Sequence, residues 1–257
     1  MTKINSRSQE ISRFSPARML PSVYFYLKTT TIVFRAAAQA KKGVYADKTW
    51  IQDSCRIISL LQDTGCRFEV TGQENLEDIP QPRVYVANHM STLETFVFPC
   101  LLKMDKKLTY VVKKGLVQYP VFKHIMFSRD PVVVGRKNPR EDFKTVISEG
   151  VKRLNAGISI IIFPQTTRSS DFHPAQFNSM GIKLAKRAGV PAVPVALKTD
   201  AWSTGRILKD YGRIIPSRVV RFAFAPAMTV AGSGKEEHEK CVEFISERIK
   251  TWKEATG

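Results

Sequence analysis

The stretch RVYVANHMSTLE, residues 83–94, joins a short apolar strand to the start of a helix. The strand is predicted over residues 83–87, and the helix is predicted to begin near Ser91. His89 stands between them, just beyond the carboxyl end of the strand, where α/β sheets usually bind ligands. An imidazole in that position can act as a general base if a carboxylate fixes its tautomer. This stretch therefore predicts an α/β fold with a functional site at the end of a strand.

Six further runs rich in β-branched and aromatic residues continue this pattern along the chain. Helical stripes separate several of the runs, and the last stripe marks an amphipathic helix near the C-terminus. Strands interleaved with helices predict an α/β domain over residues 65–257, with a mostly parallel or mixed central sheet flanked by helices. The predicted strands are 67–70, 83–87, 108–112, 131–135, 158–163, 192–197 and 219–225.

Glu94 lies five residues after His89 and is the candidate partner of its ring. In a regular helix, two residues with that spacing face about 140° away from each other. Glu94 can therefore reach His89 only if the backbone near the histidine is non-helical. An alternative is purely structural, because STLE at 91–94 also reads as a capping box in which Glu94 bonds back to the Ser91 backbone N–H. The residues alone leave both interpretations open.

Four basic residues stand at or shortly after the ends of three other predicted strands. They are Lys113, Lys114, Arg136 and Arg168. Each one taken singly is more simply a solvated surface charge. Taken together at successive strand ends they predict a phosphate pocket beside the base. Arg can make two charge-assisted bonds to a phosphate, and Lys supplies a point charge.

The charge balance of the chain points to an anionic partner. The 257 residues hold 40 Lys and Arg against 23 Asp and Glu, a formal net charge of +17. Such an excess suits nucleic acid, an acidic membrane face or phosphorylated substrates. The sequence has no RNA-binding aromatic signature and no zinc-finger spacing, so no nucleic-acid partner is expected, and a basic nucleic-acid-binding protein is kept only as an alternative.

The four cysteines Cys55, Cys66, Cys100 and Cys241 are widely spread, without a CxxC pair or clustered histidines. This spacing does not favour a zinc site, and no metal site is predicted. A reduced, intracellular chain is the simpler expectation.

The N-terminal part of the chain predicts a membrane contact. Residues 1–19 are expected to be a mobile basic lead without the apolar block of a secretion signal. Residues 20–64 predict a pair of amphipathic helices, and no stretch approaches the roughly 18 to 20 apolar residues of a spanning helix. The pair would lie on an anionic membrane surface, at its cytoplasmic face, as a peripheral or monotopic anchor. For the second helix, an apolar stripe that packs on the domain's own core is an equal alternative.

Four blocks of sequence occur in order and carry a family resemblance. They are Asn88-His89-x4-Glu94, Val132-x-Val134-x-Arg136, FPQTTRS at 163–169 and VPAVPV at 190–195. In residues, order and spacing they resemble the four blocks of the glycerophospholipid acyltransferases, especially the lysophosphatidic acid acyltransferases. The resemblance spans roughly residues 65–230, and the N-terminal helix pair also resembles that of bacterial members.

The resemblance implies acyl transfer from a thioester, on coenzyme A or acyl carrier protein, to the hydroxyl of a lysolipid, giving phosphatidate from 1-acylglycerol-3-phosphate. His89 would remove the hydroxyl proton while Glu94 orients the ring. Arg136 and Arg168 would bind the acceptor's phosphate, with Lys113 or Lys114 assisting. No metal and no bound cofactor is implied. The implied acceptor or acyl pocket comprises Gln165, Thr166, Thr167, Ser169, Pro191 and Pro194.

The chain departs from the family's usual blocks at several positions. Glu94 stands where the first block usually has Asp, and Gln165 and Thr166 replace a Glu-Gly pair. Asp130 and Asn178 stand where Gly and Lys are frequent. These departures keep two alternatives open: an acyltransferase for another lysophospholipid or a lyso-aminolipid, and an inactive lipid-binding relative.

Overall fold

A computed structural model describes most of the chain. Residues 1–14, which form most of the predicted basic lead, and Thr166 of the predicted pocket lie outside the described residues. The described residues are 15–79, 82–103, 105, 107–165, 167–205 and 208–255.

Seven strands in the described part of the chain form one mixed sheet, and each lies on one of the seven predicted runs. The strands are β1 Phe68–Thr71, β2 Val84–Ala87, β3 Leu108–Lys113, β4 Val132–Val134, β5 Ser159–Ile162, β6 Ala192–Lys198 and β7 Val220–Phe224. Their order across the sheet is β1-β7-β6-β2-β5-β3-β4. Of the pairs between these strands in the described residues, only β6–β7 is antiparallel. The predicted fold class is therefore confirmed.

Helices cover both faces of the sheet. They are α1 Pro16–Met19, α2 Pro21–Lys41, α3 Asp47–Asp63, α4 Leu93–Leu101, α5 Phe122–Phe127, α6 Pro139–Asn155, α7 Met180–Ala188 and α8 Lys235–Glu254, with short 3-10 helices at Gln73–Leu76, Leu116–Gln118 and Pro174–Gln176. Alternate residues of β2 point to opposite faces. Tyr85 and Ala87 join a hydrophobic cluster with α2, α3 and α4, whereas Val84 and Val86 join a second cluster with α6, α7 and α8. Because both faces are covered, all four residues of β2 are buried.

The parallel pairing fixes where a site can lie. β2 pairs in parallel with β5 and with β6, and β3 pairs in parallel with β5. The carboxyl ends of these four strands therefore meet at one edge of the sheet. His89 follows β2 directly at that edge, and the FPQTTRS segment follows β5 there.

The two long N-terminal helices differ in what they bury. The apolar stripe of α3, with Trp50, Ile57, Ile58 and Leu61, is buried in the core that also holds α4. The alternative in which this stripe packs on the domain's own core is thus the one observed. In contrast, α2 buries Phe25, Ala36 and Ala37 but leaves other apolar side chains exposed. The exposed ones on or next to α2 are Met19, Leu20, Val23, Leu27 and Phe34. Among the described residues, no helix has the length and apolar character needed to cross a bilayer.

A disulfide joins Cys55 of α3 to Cys100 of α4. The expectation of four reduced cysteines is therefore wrong for this pair, whereas Cys66 and Cys241 are free and buried. Packing of α3 on α4 brings the two Cα atoms to 5.0 Å although 45 residues separate them in sequence. Such a pairing between helices leaves no local pattern in the sequence.

Candidate active site

Asn88 anchors the backbone that presents His89. Its side-chain amide donates to the Leu197 carbonyl at 2.9 Å, and its Oδ1 accepts from the Leu197 N–H at 2.8 Å. The side chain thus extends the β2–β6 ladder by one step after the strand itself ends at Ala87. The histidine is the next residue, so its position follows from the sheet.

The segment between β2 and α4 is non-helical, which meets the condition for His89 to reach Glu94. The ring Nδ1 lies 2.8 Å from Glu94 Oε1, with 16% of the histidine side chain exposed and none of the glutamate side chain. An ionised carboxylate can only accept, so Nδ1 carries the proton and donates it. The tautomer assigned in this way leaves Nε2 with a lone pair.

Glu94 is held by several further donors. Oε1 also accepts from the backbone N–H of Met90 at 2.6 Å and of Ser91 at 2.9 Å. Oε2 accepts from the hydroxyl groups of Ser91 at 3.0 Å and Thr199 at 2.6 Å. The two interpretations of Glu94 left open by the sequence therefore hold together, because it bonds both to the imidazole and back to the Ser91 N–H.

These contacts keep the Glu94 carboxyl ionised. Burial raises its pKa, but the hydrogen bond and charge of His89 and the bond from Thr199 lower it by more, so the net pKa lies below the ordinary value. A carboxylate that stays charged holds the proton on Nδ1 and stabilises the imidazolium that forms when Nε2 accepts a proton.

The segment after β5 fixes His89 from the other side. The Phe163 ring stacks on the imidazole with centroids 4.3 Å apart. Gln165 Oε1 accepts from the His89 N–H at 2.7 Å, and the Ser169 N–H donates to the His89 carbonyl at 3.0 Å. Gln165 is buried, and its amide oxygen accepts the same backbone hydrogen bond that a carboxylate oxygen could accept. The Gln165 departure thus leaves no acceptor missing next to His89.

Arg168 is brought to the histidine loop. Its Nη1 lies 2.6 Å from Asp210 Oδ1 and also donates to the Thr92 hydroxyl. Thr92 in turn donates to Asp210 Oδ1 at 3.1 Å. Thr92 is three residues from His89, and Ser169, beside Arg168, bonds the His89 carbonyl. Arg168 and the candidate base therefore share one neighbourhood.

The other predicted cations lie at the same edge but farther along the sheet. Lys113 ends β3, Lys114 follows it and donates its N–H to the Val134 carbonyl, and Arg136 follows β4. In the observed strand order β3 is two positions from β2 and β4 is three, or about 10 and 14 Å. The backbone positions of these three residues therefore lie farther along the sheet from His89 than the segment of Arg168, whose neighbour Ser169 bonds the His89 carbonyl.

Asp130 has a backbone conformation that favours glycine, the residue expected here from the family resemblance. Its φ of 46° lies in the left-handed region that favours glycine. Arg153 compensates by donating to the Asp130 carbonyl at 2.9 Å and to its carboxylate at 2.8 Å.

The remaining predicted pocket residues are dispersed. Thr167 and Ser169 lie on the segment after β5, beside His89. Thr167 is exposed, and the Ser169 hydroxyl accepts from the Asp171 N–H. Pro194 is buried within β6, in register with Val86. Pro191 precedes β6, and its carbonyl accepts from the Val84 N–H at the start of β2. Pro191 therefore lies at the opposite edge of the sheet from His89.

Sequence reasoning did not name several side chains of the site as site residues: Asn88, Thr92, Phe163, Thr199 and Asp210. Thr199 follows β6 directly, so the rule that polar residues after a buried strand mark a site could have found it. Asp210 lies in a segment without any motif. Among the described residues, no group of three His, Cys, Asp or Glu could hold a metal ion.

Comparison with known proteins identifies relatives. The family model described as Acyltransferase matches residues 67–198, about half of the chain. A 1-acyl-sn-glycerol-3-phosphate acyltransferase of Pseudomonas aeruginosa is 28% identical over 204 residues, covering 79% of this chain and 74% of that protein. A chloroplastic protein of the same name from Arabidopsis thaliana is 30% identical over 142 residues, covering 55% of this chain and 38% of that protein.

A solved structure shares the fold. The crystal structure of the 1-acyl-sn-glycerophosphate acyltransferase of Thermotoga maritima matches with a TM-score of 0.69 at 19% identity. The match covers 92% of this chain and 96% of that chain, so the N-terminal helices and the sheet belong to one shared architecture.

Proposed function

The chain belongs to the acyltransferase family, and on that premise we propose that it transfers a fatty acyl group to the free hydroxyl of 1-acylglycerol-3-phosphate, giving phosphatidate. The named relatives support this acceptor, since their names state it. The single observation that carries the proposal is the His89–Glu94 pair at the edge of the sheet where Arg168 also lies.

The chemistry uses both ring nitrogens of His89. Nε2 removes the proton of the acceptor's hydroxyl while the oxygen attacks the carbonyl carbon of the thioester. Glu94 stabilises the imidazolium formed, because its carboxylate already holds Nδ1–H at 2.8 Å. When the tetrahedral intermediate collapses, the C–S bond breaks and Nε2 returns the proton to the sulfur. The products are the new ester and a free thiol.

Arg168 is the residue best placed to bind the acceptor's phosphate. Its neighbours Thr92 and Ser169 contact the histidine loop, so a phosphate at Arg168 sets the acceptor's hydroxyl near Nε2. Lys113, Lys114 and Arg136 lie farther along the same edge. There they add positive potential that draws anionic substrates toward the site.

The acyl donor in this proposal is a soluble thioester, either acyl-coenzyme A or acyl-acyl carrier protein, and no bound cofactor or metal takes part. A thiolate is a good leaving group, so a thioester is a suitable acyl donor for an alcohol that a histidine base activates.

We expect α2 to be the helix that binds the membrane. The exposed Val23, Leu27 and Phe34 of α2, with Leu20 just before it, recur at helical spacing and would enter the lipid. Lys28, on the same helix, is also exposed. An anionic cytoplasmic leaflet is the surface we expect, since it attracts basic residues. Flotation with anionic vesicles tests this: Leu27→Glu should reduce binding several-fold, whereas Phe143→Glu on α6 should not.

The test of the activity uses the purified full chain with a labelled acyl group on coenzyme A or acyl carrier protein. Lysophosphatidate is compared with lysolipids that carry choline, ethanolamine or glycerol head groups and with a lyso-aminolipid. We expect product with lysophosphatidate, and at least about 10³-fold less with His89→Ala. Product on another acceptor alone would replace the proposed substrate, and an absence of product on every acceptor would favour a lipid-binding role.

A further inference from the structure

The carboxylate of Asp210 occupies a small anion site beside the histidine. Its Oδ1 lies 2.6 Å from Arg168 Nη1 and accepts from the Thr92 hydroxyl at 3.1 Å. Two donors from separate parts of the chain thus converge on one anionic oxygen. A phosphate oxygen uses the same kinds of donor, so the carboxylate stands where such an oxygen would bind.

The location of this anion site matters because of what lies next to it. Thr92 belongs to the non-helical segment that carries His89, and the residue after Arg168 donates to the His89 carbonyl at 3.0 Å. An acceptor whose hydroxyl is at the imidazole would bring its phosphate, a few bonds away, to this point. The inference therefore rests on the proposed function.

The segment that carries Asp210 is fixed at several points. Trp202 Nε1 donates to the Asp210 carbonyl at 3.2 Å, and the Ile214 N–H donates to the Ser22 hydroxyl of α2 at 3.0 Å. The Tyr26 hydroxyl, also on α2, donates to the Gly212 carbonyl. These contacts hold the carboxylate near Arg168 at a high effective concentration.

The Asp210 side chain is nevertheless within reach of solvent. It is 48% exposed, whereas the Arg168 side chain is 22% exposed. An ion pair with one exposed partner is weak enough to be exchanged for another anion. In the absence of substrate, Arg168 is therefore paired with Asp210. When substrate binds, the Asp210 carboxylate can leave the arginine.

We propose that Asp210 is an internal competitor of the acceptor's phosphate for Arg168. An anion that binds between Arg168 Nη1 and the Thr92 hydroxyl displaces the carboxylate, so Asp210 weakens the binding of every phosphate there by one common factor. Soluble phosphates, which bind weakly, are thereby kept out of the site. A lysolipid is concentrated at the membrane surface and overcomes the competition.

The test is the Asp210→Asn variant. It keeps the shape of the side chain and removes its charge, so phosphate no longer competes with an anion at Arg168. We expect the KM for lysophosphatidate, the inhibition constant of inorganic phosphate and the dissociation constant of glycerol 3-phosphate all to fall about three- to tenfold.

Two further variants control the experiment. Asp171→Asn makes the same charge change at an exposed aspartate paired with Lys253, and it should leave all three constants unchanged. In an Arg168→Ala background, Asp210→Asn should no longer change them, because the competition acts through the arginine.

The outcomes separate this inference from the proposed function. Constants that stay equal or rise in Asp210→Asn overturn it, as does a loss of kcat at unchanged KM, which would make Asp210 an orienting partner of Arg168. Failure of both proteins to bind glycerol 3-phosphate overturns it as well. Because the binding titration needs no acyl donor, tighter binding by Asp210→Asn in a protein that does not acylate lysophosphatidate would refute the proposed function alone.

Discussion

A hydrogen-bonded pair of polar side chains lies at each end of β2, and the two pairs differ in exposure. At the amino end, Arg83 Nη2 lies 2.9 Å from Asp105 Oδ1, with side chains 1% and 0% exposed. At the carboxyl end, His89 Nδ1 lies 2.8 Å from Glu94 Oε1, and here the histidine is 16% exposed. The pairs are equally close, but only the second one reaches solvent.

The difference separates a structural pair from one that can transfer protons. Arg83 is always charged and only donates, and it also donates to the Leu76 carbonyl at 2.9 Å. Tyr85 donates to the same Asp105 oxygen at 3.0 Å. All three side chains of this network are buried, so it does not reach solvent. His89 donates one ring N–H to Glu94, and its other ring nitrogen is available to a substrate. The partial exposure of this titratable ring therefore makes the carboxyl-end pair a candidate catalytic pair.

The largest expected effect is the loss of activity in His89→Ala. Removing a general base lowers kcat/KM about 10³- to 10⁴-fold. Unfolding free energy should fall by only about 1 to 2 kcal/mol, since the ring is partly exposed. Acyl transfer and chemical unfolding measure the two quantities. Turnover near that of the wild type would remove the carboxyl-end pair from the mechanism.

The opposite profile is expected for Asp105→Asn at the amino end. It leaves the buried charge of Arg83 without its counter-charge, which should lower the unfolding free energy by about 3 kcal/mol. Activity per folded molecule should stay within about twofold, because the pair is at the opposite edge of the sheet.

A matched control for Asp105→Asn is Glu236→Gln. It breaks an exposed pair with Lys240 on α8, so the unfolding free energy should barely change. An effect of Asp105→Asn as small as that of the control would contradict the structural role of the amino-end pair.

A smaller effect is expected for Glu94→Gln, since the base remains but its orienting charge is gone. We expect kcat to fall about 10- to 100-fold with a smaller change in KM, because this contact acts through the imidazole. A kcat equal to that of the wild type would leave Glu94 only its role at the start of α4.

The pH dependence of stability gives the smallest and most specific signal. The folded pKa of Glu94 is lowered from 4.5, so its carboxylate stabilises the fold above that value and the contribution is lost as the pH falls through the folded pKa. The stability difference between wild type and Glu94→Gln should therefore shrink from pH 7 to about pH 3. Chemical unfolding measures it, and a constant difference would mean that the carboxyl titrates alike in both states.

The strands could be predicted because their signal is local. Each of the seven runs of β-branched and aromatic residues became a strand, with ends shifted by at most one residue. The order of the sheet was not predicted, and neither was the antiparallel β7 between β1 and β6. Pairing of that kind depends on contacts between distant residues, for which a single sequence has no periodic signal.

The site shows the same division between local and distant signals. His89 and Glu94 lie in one short stretch, and their pairing could be anticipated from backbone geometry. Thr199 donates to Glu94 from 105 residues away, and Asp210 meets Arg168 without a motif. The stripe of α3 was ambiguous for a related reason: periodicity identifies an apolar face but does not say whether protein or lipid covers it.

The most direct test of the account is the tautomer of His89. Nitrogen-15 NMR of histidine-labelled protein, with the His89→Ala spectrum to assign one of the four histidines, reports which ring nitrogen carries the proton. We expect the neutral form of the ring to carry its proton on Nδ1 and none on Nε2, because Glu94 holds Nδ1–H. A ring with its proton on Nε2 would contradict it, since that nitrogen could not accept the proton of an alcohol.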